Sequence, residues 1–281
     1  MSTPLAINTN VGSLNAQRNL VKAGRNLGNS IERLSSGLRI NSASDDAAGK
    51  AIAEGLRAQN NGYKQAVENA NDAVSILSTA EGAYNAISDV LIRMRELAVQ
   101  SANDSLTTVE RGYVNTEFTQ LATEITRISD VTEFNGIKLL DATAGAANDG
   151  ALVFQVGTRS TANDRINISL GDQDATALGI NASAVDTLAN AQTAITTLDA
   201  AISTLATSRA TLGATVNQLT AAVDNLGVTV ENMAAAASQI TDTDVAAESA
   251  NFTKNQVIMQ AGVSMLSQAN SMPSLALRLL G

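Results

Sequence analysis

Apolar residues recur at alternating steps of three and four along the last third of the chain. The stripe starts at Leu188 and runs to Ile240, and only Arg209 interrupts it. This spacing predicts a coiled-coil helix with a left-handed supercoil, because 3.5 residues per turn keeps the stripe facing a partner. At 1.5 Å per residue the helix would be about 80 Å long. That length indicates a helical rod rather than a small globule.

Two more seams with the same spacing lie in the N-terminal half. One occupies residues 63–98, with Glu81 and Ser88 as polar interruptions, and the other occupies residues 114–128. The second begins after Thr107–Glu110, a capping-box pattern whose hydroxyl and carboxylate satisfy free backbone amides. Three helices with matching stripes can bury one another as a bundle.

The period changes to two between the helical halves. Residues 152–156 and 166–170 alternate apolar and polar positions on either side of a polar turn, which predicts a β-hairpin. The flanking residues 142–150 and 171–184 are rich in Ala, Gly, Asn and Asp and predict loops. The predicted fold class is therefore mainly α, a long coiled-coil rod with one small β-hairpin.

Each end of the chain carries a shorter apolar seam. A pair of short helices is marginal in water, so we expect these two seams to pair with each other and to order fully only when copies of the chain pack together. They form the predicted assembly seam, which consists of Leu20, Leu27, Ile31, Leu34 and Leu38 near the N-terminus and Phe252, Met259, Val263, Leu266, Leu275 and Leu279 near the C-terminus.

Composition excludes several kinds of chemistry. The 281 residues carry a net charge of -9, only 2% are aromatic, and Cys, His and Trp are absent. These absences remove thiol nucleophiles, imidazole bases and the usual zinc ligands. The acidic balance disfavours duplex nucleic acid, and no apolar run is long enough to span a membrane. We predict a protein that is not an enzyme and needs no cofactor or metal, with no cleaved signal peptide at its start.

Two pairs of acidic residues remain as candidates for chemistry. Asp45-Asp46 could serve acid–base catalysis, and Asp242 with Asp244 could bind calcium. The second pair lacks the glycine and the distal glutamate of a calcium loop. Capping of helix N-termini is the simpler interpretation of both pairs, since short acidic side chains accept hydrogen bonds from free backbone amides.

Several separate segments resemble one family, the bacterial flagellins, and the resemblance covers nearly the whole chain. In particular, it resembles a short form that lacks the large outer variable domain. The matching segments are Ile7–Asn10, Ile31–Ser42 continuing to Asp45–Gly49, Arg95–Asn103, Phe134–Gly136, Gln260–Gly262 and Gln268–Asn270, followed by Pro273 and Leu279-Leu280.

The resemblance implies a structural subunit that polymerises into the flagellar filament for swimming motility, outside the cell. It implies export through the flagellar channel, an export chaperone, and cap and junction proteins as partners beside other copies of the chain. The implied layout has inner-tube coiled-coil segments at 1–44 and 241–281, rod helices at 45–141 and 185–240, and the hairpin with its loops at 142–184.

One further surface is singled out by the resemblance. Arg93 and Leu97 lie four residues apart, on one helical face, and Glu117 lies on the next helix. On chemistry alone the three residues are part of a solvated rod surface. By resemblance they match the patch that the vertebrate flagellin receptor recognises, and an arginine beside an apolar residue is typical of an interface hot spot.

Three other functions compete with the filament subunit. A hook–filament junction protein shares the terminal helices and differs in carrying a longer, less regular middle. A signalling coiled coil would need a transmembrane segment and a charged hairpin tip, and the sequence has neither. An enzyme is disfavoured by the missing residue types, and loss of turnover on replacing Asp45 or Asp242 would be needed to support it.

Overall fold

The computed structural model describes residues 9–145, 147 and 149–280, with side chains as far as Met272. Among these residues, five α-helices and four short strands follow one another along the chain. The elements are α1 (Val11–Ser36), α2 (Ala47–Ser101), α3 (Thr108–Val131), β1 (Glu133–Phe134), β2 (Ile137–Lys138), β3 (Ala151–Gln155), β4 (Arg165–Ser169), α4 (Leu188–Thr241) and α5 (Val245–Leu280). The mainly helical class and the small hairpin predicted from the sequence are confirmed.

The chain folds into two compact units. The first contains the chain up to Ala58 and again from Asn232, and the second contains Gln59–Glu231. The unit boundaries therefore fall inside α2 and α4, whereas the layout implied by the family resemblance divides the chain near the helix ends. No helix within the described residues is long and apolar enough to cross a membrane.

The core of the second unit is built by the three predicted helical seams. About half of the predicted seam positions are buried and most of the others are half-buried, because the three helices turn their stripes toward one another. The buried seam residues are Ala70, Leu77, Tyr84, Leu91, Met94 and Ala98 of α2, Phe118 and Ile125 of α3, and Ala191, Leu198, Leu205, Leu212 and Leu219 of α4. Residues 139–185 add Leu139, Leu140, Ile180 and Val185 to the same core.

Two of the three polar interruptions of the seams, Glu81 and Arg209, contact each other. Arg209 of α4 donates from Nη2 and Nε to Oε1 of Glu81 on α2, at 2.7 and 3.1 Å. About a third of each side chain is exposed, so the pair lies at the edge of the core. A polar pair in an apolar seam favours one register of the two helices, because any shift leaves both charges facing apolar neighbours.

Removing either partner of this pair should lower the free energy of unfolding by more than its part of the ion pair, because the other side chain is left without its partner. We expect Glu81→Gln and Arg209→Met each to lower the free energy of unfolding by about 1 kcal/mol, and the double variant to lose clearly less than the sum. Urea denaturation followed by circular dichroism measures all three values. Strictly additive losses would contradict a direct coupling between the two side chains.

The longer hairpin pairs β3 and β4 in antiparallel register, with Leu152 opposite Ile168 and Phe154 opposite Ile166. Leu152, Ile166 and Ile168 are buried in the core, as their alternation predicts. The hairpin lies close to α2, since the Asn69 side-chain amide donates to the Gln155 carbonyl at 3.1 Å.

A smaller hairpin of β1 and β2 follows α3 and was not predicted as secondary structure. Its turn residues Asn135 and Gly136 both have positive φ, 51° and 79°. Two such residues form the tight turn that matches the twist of paired strands, and Asn-Gly is the dipeptide that best tolerates it.

Tyr84 makes the stability of the second unit sensitive to alkali. Its side chain is buried, and this burial, with a smaller effect from Glu81, raises the pKa of Tyr84 to about 12. A raised pKa means that the unfolded chain ionises first. Stability contributed by the neutral phenol is therefore present below pH 10 and is lost as the pH rises to 12, by about 2–3 kcal/mol in full.

We expect Tyr84→Phe to reduce the fall in the free energy of unfolding between pH 10 and 12. Tyr113→Phe is the matched control, because Tyr113 is 72% exposed. Chemical denaturation at a series of pH values measures the difference. If both variants and the unmodified chain lose stability in parallel over this range, Tyr84 is not the group responsible.

Candidate assembly surface

Helix α1 has defined signals at both ends. The Asn10 side-chain carbonyl accepts a hydrogen bond from the Ser13 amide at 2.9 Å and caps the N-terminus. Gly37 ends the helix with φ 72°, a left-handed conformation that glycine adopts without strain. Its amide donates to the Arg33 carbonyl at 2.9 Å, so the helix ends where the sequence places a glycine.

Each of the acidic pairs singled out in the sequence contains one residue that caps a helix and one that accepts hydrogen bonds from neighbouring residues instead. Asp244 caps α5 by accepting from the Ala246 and Ala247 amides at 2.9 and 3.1 Å, as predicted. Asp242 was also predicted to cap and does not, since its carboxylate accepts from the Ser238 and Thr241 hydroxyls within the last turn of α4. No cluster of acidic residues suited to a metal ion occurs among the residues that the structure describes.

In the pair Asp45-Asp46, too, only one of the two residues caps a helix. Asp46 caps α2 by accepting from the Gly49 amide at 2.9 Å, in agreement with the predicted capping. Asp45 instead braces the preceding loop, where it accepts from the Ser42 and Asn41 amides. The hydrogen bond from the Ser42 backbone holds the pKa of Asp45 below its ordinary value. The two carboxylates thus have separate structural roles and do not form an acid–base pair.

Helices α1 and α5 pack against each other as an antiparallel pair, the terminal hairpin. Each helix contributes a stripe at alternating steps of three and four, which is the spacing of a coiled-coil seam. The inward positions are Ser13, Ala16, Leu20, Ala23, Leu27, Ser30 and Leu34 of α1, and Glu248, Phe252, Asn255, Met259, Gly262, Leu266 and Ala269 of α5. Many of these side chains are small, so the helices can approach closely while burying little apolar area.

Polar contacts fix the register at both ends of the terminal hairpin. At one end the Asn10 side-chain Nδ2 donates to the Ala269 carbonyl, at 2.7 Å. Toward the other end the buried Ser30 hydroxyl donates to Glu248 Oε1 at 2.6 Å, and Arg33 lies 3.8 Å from the same carboxylate. A buried polar contact of this kind specifies register in a helical pair, because a shifted pair leaves it unsatisfied.

The connection after α1 is tied to the connection before α5. The Arg39 amide donates to the Thr241 carbonyl at 2.7 Å, and the Thr243 amide donates to the Gly37 carbonyl at 3.0 Å. The Arg39 guanidinium donates to the Ile240 carbonyl at 2.7 Å. A cation at the C-terminal end of α4 satisfies a free carbonyl and interacts favourably with the helix dipole.

Most of the predicted assembly seam is used within the chain. Leu20, Leu27, Leu34, Phe252, Met259 and Leu266 lie half-buried between the two helices, and Leu38 lies half-buried just beyond α1. By contrast, Ile31 and Val263 face outward, 52% and 54% exposed. The side chains of Leu275 and Leu279 lie outside the described residues. Sequence periodicity did not separate the two groups, because both faces of each helix carry apolar residues.

The outward face of the terminal hairpin carries large apolar side chains that are exposed among the residues that the structure describes. Several of these were missed in the sequence, because they lie off the 3–4 stripe. The outward apolar face consists of Val11, Leu14, Val21 and Ile31 of α1 and Val245, Val257, Ile258, Val263, Met265 and Met272 of α5. Such a run of exposed apolar residues on two adjacent helices is typical of a protein–protein interface.

The predicted receptor patch is divided by the structure. Arg93 donates from Nη2 to Glu117 at 2.8 Å and from Nη1 to Glu96 at 3.1 Å, all on the surface. Leu97 is only 1% exposed and belongs to the core. The expectation that Leu97 shares the solvated surface with Arg93 is therefore wrong. Because one helical turn takes 3.6 residues, a side chain four positions after Arg93 is rotated beyond it around the helix. Leu97 therefore lies on the buried stripe beside Met94.

The sequence matches two family models that together cover most of the chain. The bacterial flagellin N-terminal helical region matches residues 7–145, and the bacterial flagellin C-terminal helical region matches residues 195–280. The first model includes α1 through β2, and the second includes most of α4 and all of α5. Both helices of the terminal hairpin thus fall within matched regions.

Similar proteins include flagellins of comparable length. A flagellin from Halalkalibacterium halodurans is 41% identical over 279 residues, which cover 98% of this chain and 100% of the relative. A flagellar filament core protein from Brachyspira hyodysenteriae is 37% identical over 98% of this chain and 100% of its own length. The crystal structure of Bacillus cereus flagellin is 33% identical, with a TM-score of 0.50 over 60% of this chain and 94% of that one.

The matches extend over both helical regions and over the whole of relatives as short as this chain. They agree with the resemblance carried by the sequence segments and with the helical fold. The chain belongs to the bacterial flagellin family, as a short form.

Proposed function

We propose that the outward apolar face of the terminal hairpin is the surface through which copies of this chain pack into a filament. As a flagellin, the chain is a structural subunit that polymerises into the bacterial flagellar filament outside the cell, and it is not an enzyme. The observation that carries the residue assignment is the exposure of Val21, Ile31, Val257 and Met265, each half exposed or more.

Burial of this face supplies a driving force of the right size. Removing a large apolar side chain from water stabilises an association by about 1.5–3 kcal/mol when burial is complete. A half-exposed side chain contributes about half of this, so the ten residues of the face together contribute about 8–15 kcal/mol, which is comparable to the cost of immobilising a subunit, about 4–15 kcal/mol. The internal seam between α1 and α5 contributes less, because glycine, alanine and serine occupy several of its positions.

In the proposed filament the outward residues of α1 in one copy contact the terminal hairpin of another copy at a different position, so contacts between copies join unlike surfaces. Contacts between unlike surfaces continue from copy to copy instead of closing on a pair, and they generate an open helical polymer. On this basis we retain the proposed layout, with residues 1–44 and 241–281 as the inner tube. Residues 45–141 and 185–240 then form the rod helices, and residues 142–184 form the hairpin with its loops.

The partners implied by the family resemblance are proposals at the same level. An export chaperone would cover apolar residues of α5 before assembly, and cap and junction proteins would contact the same terminal surfaces at the filament ends. Secretion through the flagellar channel is part of this proposal. The exposed Arg93–Glu117 pair, with Leu97 beneath it as support, is the proposed contact for the vertebrate flagellin receptor.

Seeded growth tests the filament function directly. Purified full-length chain is added to sheared fragments of its own filaments, and electron microscopy records length against time. Ordered tubes that lengthen from the fragments are the expected result. A folded population that neither lengthens the fragments nor forms tubes would contradict the proposal and would favour a junction protein.

A further inference from the structure

Charge is segregated along the terminal hairpin. Neither residues 9–31 nor residues 249–272 contain an aspartate or glutamate, whereas they contain Arg18, Lys22, Arg25 and Lys254. All four of these cations are exposed, and within the described residues none of them forms an ion pair. The part of the hairpin farther from its connecting loops is therefore purely basic.

The end of the hairpin near the connecting loops is acidic. The exposed carboxylates there are Glu32, Asp45, Asp46, Asp242 and Asp244. The nearby cations already have partners: Arg33 lies against Glu248, the Arg39 guanidinium binds the Ile240 carbonyl, and Lys50 lies 4.0 Å from Glu54. The capping carboxylates accept backbone hydrogen bonds and still present their negative charge to solvent.

The basic residues border an apolar groove on α1. The groove has a volume of about 810 Å³ and is lined by Val11, Leu14, Gln17, Arg18, Val21, Lys22 and Arg25. An apolar floor with three unpaired cations at its rim fits a partner surface that is apolar at its centre and negatively charged at its edge. A second copy of this chain offers both at the acidic end of its hairpin, where the exposed Ile31 and Val245 directly adjoin Glu32 and Asp244 in sequence.

We propose that the basic groove on α1 of one copy docks against the acidic end of the terminal hairpin of the next copy. The docking rests on the proposed filament function, in which all copies point the same way. Parallel copies without an axial offset would place like charges side by side. An offset of about 14 helical residues, or about 20 Å, places Lys22 of one copy level with the acidic end of its neighbour.

This charge arrangement gives the filament contact a direction. Opposite charges favour the offset, parallel contact and raise the rate of productive encounter, while like charges oppose contact in full register. The apolar groove then supplies most of the binding energy, and the charges select which contact forms.

Complementary charge reversal tests the docking. The variant R18E/R25E makes the groove acidic, and the variant E32K/D242K makes the other end basic. Each variant alone is expected to lengthen wild-type fragments at least tenfold more slowly than wild type in 50 mM NaCl. An equimolar mixture of the two is expected to grow much faster than either alone, because each groove then faces an end of opposite charge.

The variant K64E/R159E is the matched control for R18E/R25E, since it lowers the net charge by the same amount within the second unit. It is expected to grow at the wild-type rate, and circular dichroism checks that every variant is folded. The docking is overturned if R18E/R25E grows like the control, or if the mixture gives no recovery. Failure of wild type itself to grow would overturn the filament function as well, so the two failures are distinguishable.

Discussion

Replacing Val21 by aspartate is expected to stop filament elongation while leaving the subunit folded. Val21 is 50% exposed on the outward face of α1, so aspartate meets water in the isolated chain. In the filament the same carboxylate would be desolvated at a cost of several kcal/mol, and pairing with Arg18 or Arg25 would offset only part of that cost while taking the cation away from its docking contact. A loss of about 3 kcal/mol per contact raises the subunit concentration needed for growth by more than 100-fold.

The measurement for Val21→Asp is seeded elongation followed by electron microscopy. Val109→Asp is the matched control, because Val109 is 65% exposed in the first turn of α3, where an acidic residue suits the helix dipole. Leu34→Asp is the contrasting variant, since Leu34 lies between α1 and α5 and its replacement disturbs the hairpin itself. Normal growth of the Val21 variant would show that this face does not contact another copy.

Replacing Phe118 by alanine is expected to cause the largest loss of stability in the second unit. Phe118 is fully buried at the centre of α3, where its ring meets the stripes of the neighbouring helices. Truncation removes the buried ring and leaves a cavity, which together cost about 3–5 kcal/mol. With only 2% aromatic residues in the chain, few other side chains are large enough to fill the space.

Denaturant unfolding measures this loss. Tyr113→Ala is the matched control on the same helix, because it removes a ring that is 72% exposed and is expected to cost less than about 1 kcal/mol. If Phe118→Ala lost no more stability than the control, the assignment of the α3 stripe to the core would be contradicted.

The helical part of the fold was predictable from sequence because its signals are local and repeated. Seven-residue spacing from Ala191 to Leu226 predicted the buried positions of α4. The pattern underestimated the breadth of the buried stripe, since Ala194 and Ala201 are more buried than Ile195 and Ile202. A helix that packs against more than one neighbour buries a wider stripe than a two-stranded seam does.

Features that depend on distant residues were harder to predict. Glu81 and Arg209 each appeared as an interruption of its own seam, and only the fold brings them together. The β1–β2 hairpin had a local signal, the Asn135-Gly136 turn, but strands of two residues show no usable alternation. In the candidate site the helices and caps were predictable, whereas the division into inward and outward apolar residues was not, because it depends on how α1 meets α5.

The central claim is that the terminal helices bury their outward apolar face only against other copies. Hydrogen exchange by mass spectrometry, compared between monomer and filament, tests it most directly. Peptides covering α1 and α5 are expected to exchange rapidly in the monomer and to become strongly protected in the filament, while peptides from residues 59–231 stay protected in both. Terminal helices that are as protected in the dilute monomer as in the filament would contradict the claim.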